Sequence, residues 1–569
     1  MLDRRQFLTQ STVACVGAVG AGLGLWTRTL SASDLGARRA ITTWFPDARD
    51  PAAMRRLAQA AVDAAMSAGA EYADIRVVDR RALMVSRESS LGYDWSYGIR
   101  VYKHGRWGFG YGVDPTIDGA STTAQRLMAN LGTHGAATSS TQLAPAPAER
   151  GEWATPVEID PFSLTPDDHV ALREGVAAAV RHAFLYHGGR KGGPYGYDTA
   201  APGLQFLWTG ETRVFASSEG ALTTQYLARA IPMFGAGGNQ LQAADPTMYR
   251  EGYGFEWSIG RIVGAASAGF EIAVGPKLQD QFVQLYEEAL RWSTYPRWHH
   301  FPVGRYDVVF DGTLTSGILA RTLLPALSLD RALGLEINSA GPSFLAPPES
   351  MLGTQVFSPL VTLSADRSLP HLGAAKWDDE GVPTQPFTLI KDGTVIDYFR
   401  GRRTTMELAD RLHTTPRPVY GSSLTGTATR DVVGAASCVS MAPASHGPSL
   451  DELIKGMGSG IVARGRVSRF NPSMDPSGGN GMLNYYEPAA CYEVKGGKII
   501  RQLLSLGSTF TTKKFWHDVK AVGGEDTVQQ YAAQTHVGLI PSTVMQQSYA
   551  PAVYVRGVDV LDLDLMQGA

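Results

Sequence analysis

The chain has 569 residues, of which 44% are hydrophobic and 18% are charged, so it is long enough to bury a large core and to form two or three domains. Its 51 lysine and arginine residues nearly balance its 54 acidic residues, and the formal net charge is -3. This balance indicates no broad basic surface and argues against a nucleic-acid-binding protein.

The N-terminus places an arginine pair before a short apolar run. Arg4 and Arg5 are followed by Phe7, Leu8 and a glycine-rich apolar stretch over about 13–26. This stretch is shorter than the roughly 20 residues that span a bilayer, so a signal fits better than a membrane anchor. Residues 1–33 are therefore predicted to be a twin-arginine signal segment, and the protein to be periplasmic or otherwise exported.

Cysteine usage fits a fold held together by its core. Removal of the signal segment leaves Cys438 and Cys491, which are too few for a disulfide-built scaffold in an oxidising compartment.

Residues 50–300 predict a domain that mixes helices and strands. Apolar residues at helical spacing over 51–68 end at Gly69, a favourable stop. Alternating apolar and polar residues then predict two strands of a curved sheet, separated at Lys103-His104-Gly105. Further helices are expected at about 119–130, 165–186 and 278–292, strands between 204 and 232, and a loop or linker over 133–160.

Residues 301–569 predict a β-rich domain. A strand at 306–310 precedes a helical segment at 316–333, and many glycine and proline turns follow. Asp392-Gly393 and Gly496-Gly497 each separate two apolar runs, which is a strong signal for a two-residue hairpin. The expected fold class is α+β: a mixed N-terminal domain with a curved antiparallel sheet, then the β-rich C-terminal domain.

The order of these elements resembles the TldD/PmbA family over roughly residues 52–560. The segments that carry the resemblance are AMSAGAEYADIRV, GIRVYKHGRWGFGYG, VFASSEG, and FSPLVTLSADRS followed by DDEGVPTQPFTLIKDGTVIDYF. Their order and spacing make a chance similarity improbable. The resemblance implies a metallopeptidase-type fold.

The resemblance also implies where a zinc site would lie. In TldD-type members an HExxxH motif follows a strand and a Gly-Ile-Leu segment, and a cysteine near the C-terminus is a further ligand. When Gly317-Ile318-Leu319 is set on that segment, Arg321, Thr322 and Ala326 occupy the positions of the first histidine, the glutamate and the second histidine. Arginine keeps its proton and alanine has no donor atom, so this degenerate motif predicts no metal in this chain and no confident catalytic residue.

The position of the cysteine can be estimated by counting back from the closing strand. Val537 falls near that position and His536 is adjacent, but one imidazole does not make a zinc site.

Other polar groups offer weaker candidates. The pair His182 and His187 ends a predicted helix, where a capping role is expected, and His299-His300 is expected in a loop or at a strand edge. No Gly-x-Ser-x-Gly elbow occurs in the chain. Asp379, Glu380 and Gly381 are the substrate-binding candidates, with a structural turn as the alternative.

Metal-free members of the family resemble the PmbA (TldE) type. The resemblance therefore implies a noncatalytic, exported subunit of a heterodimeric peptidase, inactive alone, that helps to form a chamber for extended peptides. Its partner would be a TldD-like subunit with an intact HExxxH motif and the zinc. The alternatives are a self-sufficient hydrolase with a relocated active site and a homodimeric peptide-binding protein.

Overall fold

The structure is a computed structural model, and it describes the greater part of the chain. The described residues are 49–85, 89–113, 115–131, 143–164, 166–186, 203–235, 266–273, 301–338, 341–474, 482–503, 506–538 and 542–562, with short pieces at 28–30, 197–198, 239–240, 261–262, 280–281, 284, 295, 297–298 and 540. Across these residues no helix is both long and apolar enough to cross a bilayer.

Several predicted features lie outside the described residues. They are the apolar run of the signal segment, most of the helix predicted at 278–292, and the side chains of His182, His187, His299, His300 and His536.

The N-terminal half is built on one large, mostly antiparallel sheet. Its elements are β1 (Arg28–Leu30), α1 (Pro51–Ser67), β2 (Tyr72–Val85), β3 (Ser89–Lys103), β4 (Arg106–Val113), α2 (Ile117–Leu131), β5 (Arg150–Ala154), α3 (Pro166–Tyr186), β6 (Tyr197–Asp198), β7 (Gly203–Ser217), β8 (Leu222–Gly235), β9 (Asn239–Gln240) and β10 (Arg261–Ile262). The strand order is β1-β3-β2-β7-β8-β10, with β4 on β3 and β5 on β8.

Local sequence explains most of these elements. Asp50 caps α1 by accepting hydrogen bonds from the backbone N–H groups of Ala52 and Ala53, and Gly69, at φ +89°, follows its end. His104 and Gly105 both have positive φ, as a two-residue hairpin between β3 and β4 requires. The expected loop over 133–160 is wrong in part, because Arg150–Ala154 forms a strand that pairs in parallel with β8.

The N-terminal sheet has two chemically different faces. Helices α1 and α2 pack on one face, over apolar residues such as Ile75 and Val77. The other face carries buried charged residues on four adjacent strands, and we call it the charged face. Its members are Asp74, Arg76, Arg80, Arg100, Glu211, Arg213 and Arg229.

The charged face is covered by the C-terminal half. A Cβ placed on Gly98 of β3 would lie 1.9 Å from the carbonyl oxygen of Ala428, so the backbones of the two halves are in direct contact there. Both faces of the central strands are therefore buried.

The C-terminal half contains two large sheets and a separate two-stranded one, formed by Ser423–Leu424 and Val433–Gly434. Its elements are β11 (Arg297–Trp298), β12 (Gly304–Phe310), α4 (Gly312–Ile318), a π-helical turn (Leu319–Leu323), α5 (Leu324–Ala326), α6 (Leu329–Ala332), α7 (Pro348–Met351), β13 (Leu363–Ala365), β14 (Phe387–Lys391), β15 (Thr394–Val395), α8 (Arg402–Leu412), β16 (Ser423–Leu424), β17 (Val433–Gly434), β18 (Cys438–Met441), α9 (Leu450–Met457), β19 (Gly460–Met474), β20 (Met482–Lys495), β21 (Lys498–Leu503), β22 (Leu506–Thr511), α10 (Thr512–His517), β23 (Val519–Val522), β24 (Gln529–Val537), β25 (Ser542–Ala550) and β26 (Val553–Asp562).

The two large sheets share the main hydrophobic core. One has the strand order β11-β21-β20-β19-β12-β26-β22 with β23 on β26, and the other has the order β15-β14-β13-β18-β25-β24. Residues from both sheets and from the helical segment 312–326 join in one apolar cluster. The two predicted hairpins are present, since Asp392, Gly393, Gly496 and Gly497 all have positive φ. The expected α+β class is confirmed.

Candidate functional site

The helical segment that follows β12 holds the three positions of the degenerate zinc motif. Asp311 caps it by accepting a hydrogen bond from the backbone N–H of Leu314 at 2.9 Å. A Cβ on Gly312 would lie 2.2 Å from the carbonyl oxygen of Thr527, so the segment begins in tight contact with the chain that leads into β24. Ser316 donates to the carbonyl of Gln529 at 2.7 Å, which fixes the segment against β24.

The middle of this segment is a π-helical turn. The backbone N–H of Leu324 bonds to the carbonyl of Leu319, five residues earlier. In a regular α-helix, side chains five positions apart point about 140° away from each other, because each residue turns the helix by about 100°. In a π-helical turn, where an N–H bonds to the carbonyl five residues earlier, side chains five positions apart point in more similar directions. An HExxxH motif needs this geometry because its two histidines must reach the same metal ion.

Arg321 occupies the first histidine position and lies against strand β24. Its Nη2 and Nε donate to the phenol oxygen of Tyr531 at 2.7 and 3.0 Å, and the guanidinium carbon lies 5.7 Å from the centre of the ring. A guanidinium offers no lone pair to a metal and repels a dication. This side chain therefore does not fit a zinc site.

Thr322 and Ala326, at the other two motif positions, belong to the protein interior. Thr322 is buried, donates to the carbonyl of Ile318 at 2.7 Å and accepts from the indole Nε1 of Trp516 at 3.3 Å. Ala326 is buried in the main apolar core. Neither position offers a carboxylate or an imidazole, so the three residues together do not fit zinc.

The estimated cysteine position does not meet this segment. Strand β24 contacts it at Gln529 and Tyr531, whereas Val537 lies six residues further on, about 20 Å along an extended strand. Val537 packs instead in a small apolar cluster with Leu424, Ala435 and Val544. Among the described residues, no group of three or more His, Cys, Asp or Glu side chains is arranged to hold a metal ion.

The acidic candidates lie elsewhere, in the buried turn Asp378–Gly381. Asp378 shapes this turn, because its carboxylate accepts hydrogen bonds from the backbone N–H groups of Glu380, Val382 and Ser423 at 2.9, 2.9 and 3.0 Å. Gly381 has φ +73°, and a Cβ there would lie 2.5 Å from the ring of Phe215 on β7. The turn is thus pressed onto the charged face.

Both remaining carboxylates of the turn pair with arginines of the charged face. Asp379 bonds to Arg213 and accepts from the backbone N–H of Thr425 at 2.6 Å. Glu380 accepts from Arg100 Nη1 at 2.9 Å and from the backbone N–H of Arg402 at 2.8 Å. These contacts join the two halves of the molecule, and the substrate-binding role of Asp379, Glu380 and Gly381 stays a prediction.

The electrostatics of the turn follow from these partners. Burial alone would raise the pKa of Glu380, but the charge of Arg100 and the hydrogen bond from Ser423 outweigh it and hold the pKa well below its usual value. No arginine among the described residues bonds to Asp378, and burial together with the neighbouring charge of Glu380 raises its pKa. Within the turn, Glu380 is therefore stabilised as an anion, whereas Asp378 takes up a proton more readily.

Sequence reasoning missed the arginines that surround these carboxylates. Glu211 is buried and bonds to Arg80 Nε and Arg213 Nε, each at 2.6 Å. Burial would raise the pKa of Glu211, but the charges of Arg213, Arg80 and Arg229 outweigh it and lower the pKa strongly. The available signal was the period of two: Asp74, Arg76 and Arg80 share one face of β2, and Glu211 and Arg213 share one face of β7.

Comparisons with known proteins agree on one family. The profile of the PmbA/TldA metallopeptidase C-terminal domain matches residues 303–562, and that of PmbA/TldA metallopeptidase domain 1 matches residues 73–131. A protein of Methanothermobacter thermautotrophicus named a metalloprotease is 24% identical over 409 residues, which are 69% of this chain and 76% of the relative.

Two solved structures share the fold over most of the chain. TldE from Thermococcus kodakarensis superposes with a TM-score of 0.60 at 15% identity and covers 89% of this chain and 99% of its own. A Thermotoga maritima protein described as a proposed modulator of a DNA gyrase gives a TM-score of 0.59 at 15% identity, over 89% of this chain and 100% of its own. At this identity the likeness establishes the fold.

Proposed function

The chain belongs to the TldD/PmbA family, and on that basis we propose that it is the noncatalytic, metal-free subunit of an exported TldD/TldE-like heterodimeric metallopeptidase. In this role it forms part of the chamber that binds and processes extended peptides. A TldD-like partner with an intact HExxxH motif supplies the zinc and its activated water.

The observation that carries the proposal is the chemistry of the three motif positions. Arg321 is bonded to Tyr531, the hydroxyl of Thr322 is bonded to Trp516, and Ala326 is packed in the core. The backbone of the segment has a hydrogen bond from the Leu324 N–H to the Leu319 carbonyl, a form suited to the HExxxH spacing, while the side chains at the three motif positions offer no ligand set. A subunit with these features contributes structure rather than metal chemistry.

Strand β4 supports the peptide-binding part of the proposal. In the described sheet it pairs only with β3, so its other edge has backbone groups available to an extended peptide by strand addition. Tyr111 and Val113 at its end are 52% and 67% exposed, so their side chains are available to contact a bound peptide. A chamber wall that holds peptides in extended form would use such an edge.

The test is to measure zinc and peptide cleavage for the chain alone and for the chain co-expressed with a TldD-type partner. We expect stoichiometric zinc and chelator-sensitive cleavage only with the partner. A matched control is a partner whose two motif histidines are replaced by alanine, which should still bind this chain and should lose both zinc and cleavage.

Other results would point to other functions. Stoichiometric zinc in the lone chain would contradict the proposal. Cleavage by the lone chain that survives chelation would favour a relocated active site. A lone homodimer that binds peptides, with no complex formed with the partner, would favour a peptide-binding protein.

Export is part of the same proposal and rests on the N-terminal sequence. Substitution of Arg4→Lys together with Arg5→Lys should trap the protein in the cytoplasm if the pair directs twin-arginine export. Cell fractionation measures this, and Arg49→Lys, outside the signal segment, is the matched control. An unchanged periplasmic fraction in the paired variant would contradict export by this route.

A further inference from the structure

A small cavity lies where the charged face meets the C-terminal half. Its volume is about 40 Å³, and its charged lining residues are Arg80, Glu211, Arg213, Arg229 and Arg367. The first four belong to strands of the N-terminal sheet, whereas Arg367 follows β13 in the C-terminal half. The cavity therefore exists only when the two halves are packed together.

The lining carries more positive than negative charge. Three of the arginines share the single carboxylate of Glu211: Arg80 and Arg213 bond to it directly, and Arg229 Nη1 lies 3.8 Å from it. Arg213 is also bonded to Asp379. Four guanidinium groups thus face two directly paired carboxylates.

Arg367 is the least compensated of these groups. It is 92% buried, with 8% of its surface exposed, and its hydrogen bonds go to the backbone carbonyls of Gly373 and Gly421 at 3.0 and 2.9 Å. Among the described residues no carboxylate lies within ion-pair distance of it, although the charge of Asp378 acts on it from further away. A buried guanidinium in this state favours an added anion, because its own desolvation is not offset by a protein counter-charge.

Arg229, which also lines the cavity, is in a similar state. Its Nε donates to the carbonyl of Leu372 at 2.9 Å, and in the part of the chain that the structure describes its carboxylate neighbour is Glu211, at 3.8 Å and so beyond hydrogen-bonding distance. Burial lowers the pKa of both Arg229 and Arg367 to about 10 even though nearby carboxylates raise it. Both side chains remain cationic at neutral pH.

We propose that this cavity is a binding site for the carboxylate group of a small ligand, held between Arg229 and Arg367. Guanidinium groups match the flat, two-oxygen shape of a carboxylate and can bind it through paired hydrogen bonds. The volume holds about three water molecules, which suits a carboxylate head group better than a whole peptide. The site goes beyond the proposed chamber function, since nothing in it requires the partner or zinc.

Titration calorimetry of the full chain with sodium acetate tests the proposal, with acetamide as the neutral ligand of the same shape. We expect saturable binding of acetate and none of acetamide. Arg229→Gln should weaken acetate binding about tenfold or more, as the loss of one charge-assisted pair implies. The matched control is Arg305→Gln, which removes an exposed arginine paired with Asp559 and should leave acetate binding unchanged.

Thermal unfolding of each variant without ligand separates misfolding from lost binding. A crystal structure of the unsubstituted chain at saturating acetate gives a second answer that needs no variant, since density for acetate should lie between Arg229 and Arg367. Equal binding of acetate and acetamide, no density in the cavity, or sulfate binding as tightly as acetate would each overturn the carboxylate assignment.

Two sources of the carboxylate can be distinguished in the same way. If the natural ligand is the C-terminus of a peptide, N-acetyl-dialanine should bind more tightly than acetate, and its C-terminal amide should not bind. If the ligand is a free small acid, the peptide should show no gain over acetate. Both results support a carboxylate site, whereas binding of the amide as tightly as the acid contradicts it.

Discussion

Glu380 in the C-terminal half accepts a hydrogen bond from Arg100 in the N-terminal sheet at 2.9 Å, and both side chains are buried. The two residues are 280 positions apart in sequence. Their pairing, with that of Asp379 and Arg213, makes the turn Asp378–Gly381 the main charged link between the two halves.

Substitution of Glu380→Gln should destabilise the protein strongly. The amide keeps the shape of the side chain but leaves Arg100 as a buried cation with less compensation, and removal of one partner of a buried pair costs about 3 kcal/mol. Urea unfolding measures the free energy. The matched control is Glu407→Gln, which removes a surface pair with Arg411 and should cost about 0.5 kcal/mol or less. Equal losses of unfolding free energy in the two variants would contradict the stabilising role of the buried pair between Glu380 and Arg100.

Substitution of Gly381→Ala should destabilise the protein by more than backbone strain at positive φ alone would. The new Cβ would lie 2.5 Å from the ring of Phe215, and φ is +73°. Backbone strain and overpacking together should lower the free energy of unfolding by about 3 kcal/mol. Gly353→Ala is the control, because Gly353 has φ +79° and nothing within 4 Å, so it should lose about 1 kcal/mol from strain alone. A similar loss at both positions would show that Phe215 moves away at little cost.

Rebuilding the zinc motif should damage the fold before it creates a metal site. Thr322→Glu places a carboxylate in the interior and removes the hydroxyl that meets Trp516, so we expect a loss of about 3 kcal/mol or more. Arg321→His, at the exposed position beside Tyr531, should lose about 1 kcal/mol or less. The measurements are urea unfolding and zinc content. A Thr322→Glu variant as stable as the parent would show that this position tolerates the motif.

Asp330 should make stability depend on pH. Burial raises its pKa from 3.8 to about 7, against the smaller opposing effects of the Arg403 charge and the backbone N–H of Gly434. At pH values between 3.8 and about 7, Asp330 is protonated in the folded state but has lost its proton in the unfolded state. The contribution of Asp330 to the free energy of unfolding is therefore greatest at low pH and falls as the pH rises toward 7. The fall amounts to about 4 kcal/mol, at about 1.4 kcal/mol for each pH unit.

Substitution of Asp330→Asn should remove this loss of stability with rising pH, because the amide does not ionise. Its oxygen can still accept the 2.9 Å hydrogen bond from the backbone N–H of Gly434. Urea unfolding at pH 5 and pH 7.5 should show a flatter dependence than in the parent. Asp378 also has a raised pKa, so the informative quantity is the difference between variant and parent. Asp559→Asn, on the surface beside Arg305, is the control and should leave the dependence unchanged.

The sequence predicted the features that local rules determine. The helix over 51–68 with its end at Gly69 and the turns at Asp392-Gly393 and Gly496-Gly497 follow from helical spacing and from the positive φ that glycine permits. The family resemblance pointed to Arg321, Thr322 and Ala326, and their role stays a prediction. It did not predict that Tyr531 and Trp516 would be their partners, because these residues lie about 200 positions away and no local pattern links them.

The burial of the charged face could not be predicted locally either. Alternation of polar and apolar residues in β2 is typical of a strand with one face in solvent. The structure buries that face because the matching carboxylates, Asp379 and Glu380, arrive from a turn in the other half.

The charged face also sets the order of events during synthesis. When residues 72–235 leave the ribosome, the sheet can form, but the row that includes Arg76 and Arg100 must stay in water until residues 378–431 have been made. Contacts between residues so distant in sequence form late and slowly, because the long loop between them loses conformational entropy before the contacts are made. If residues 1–33 direct export as we propose, a route that accepts folded cargo would let this last docking step finish inside the cell.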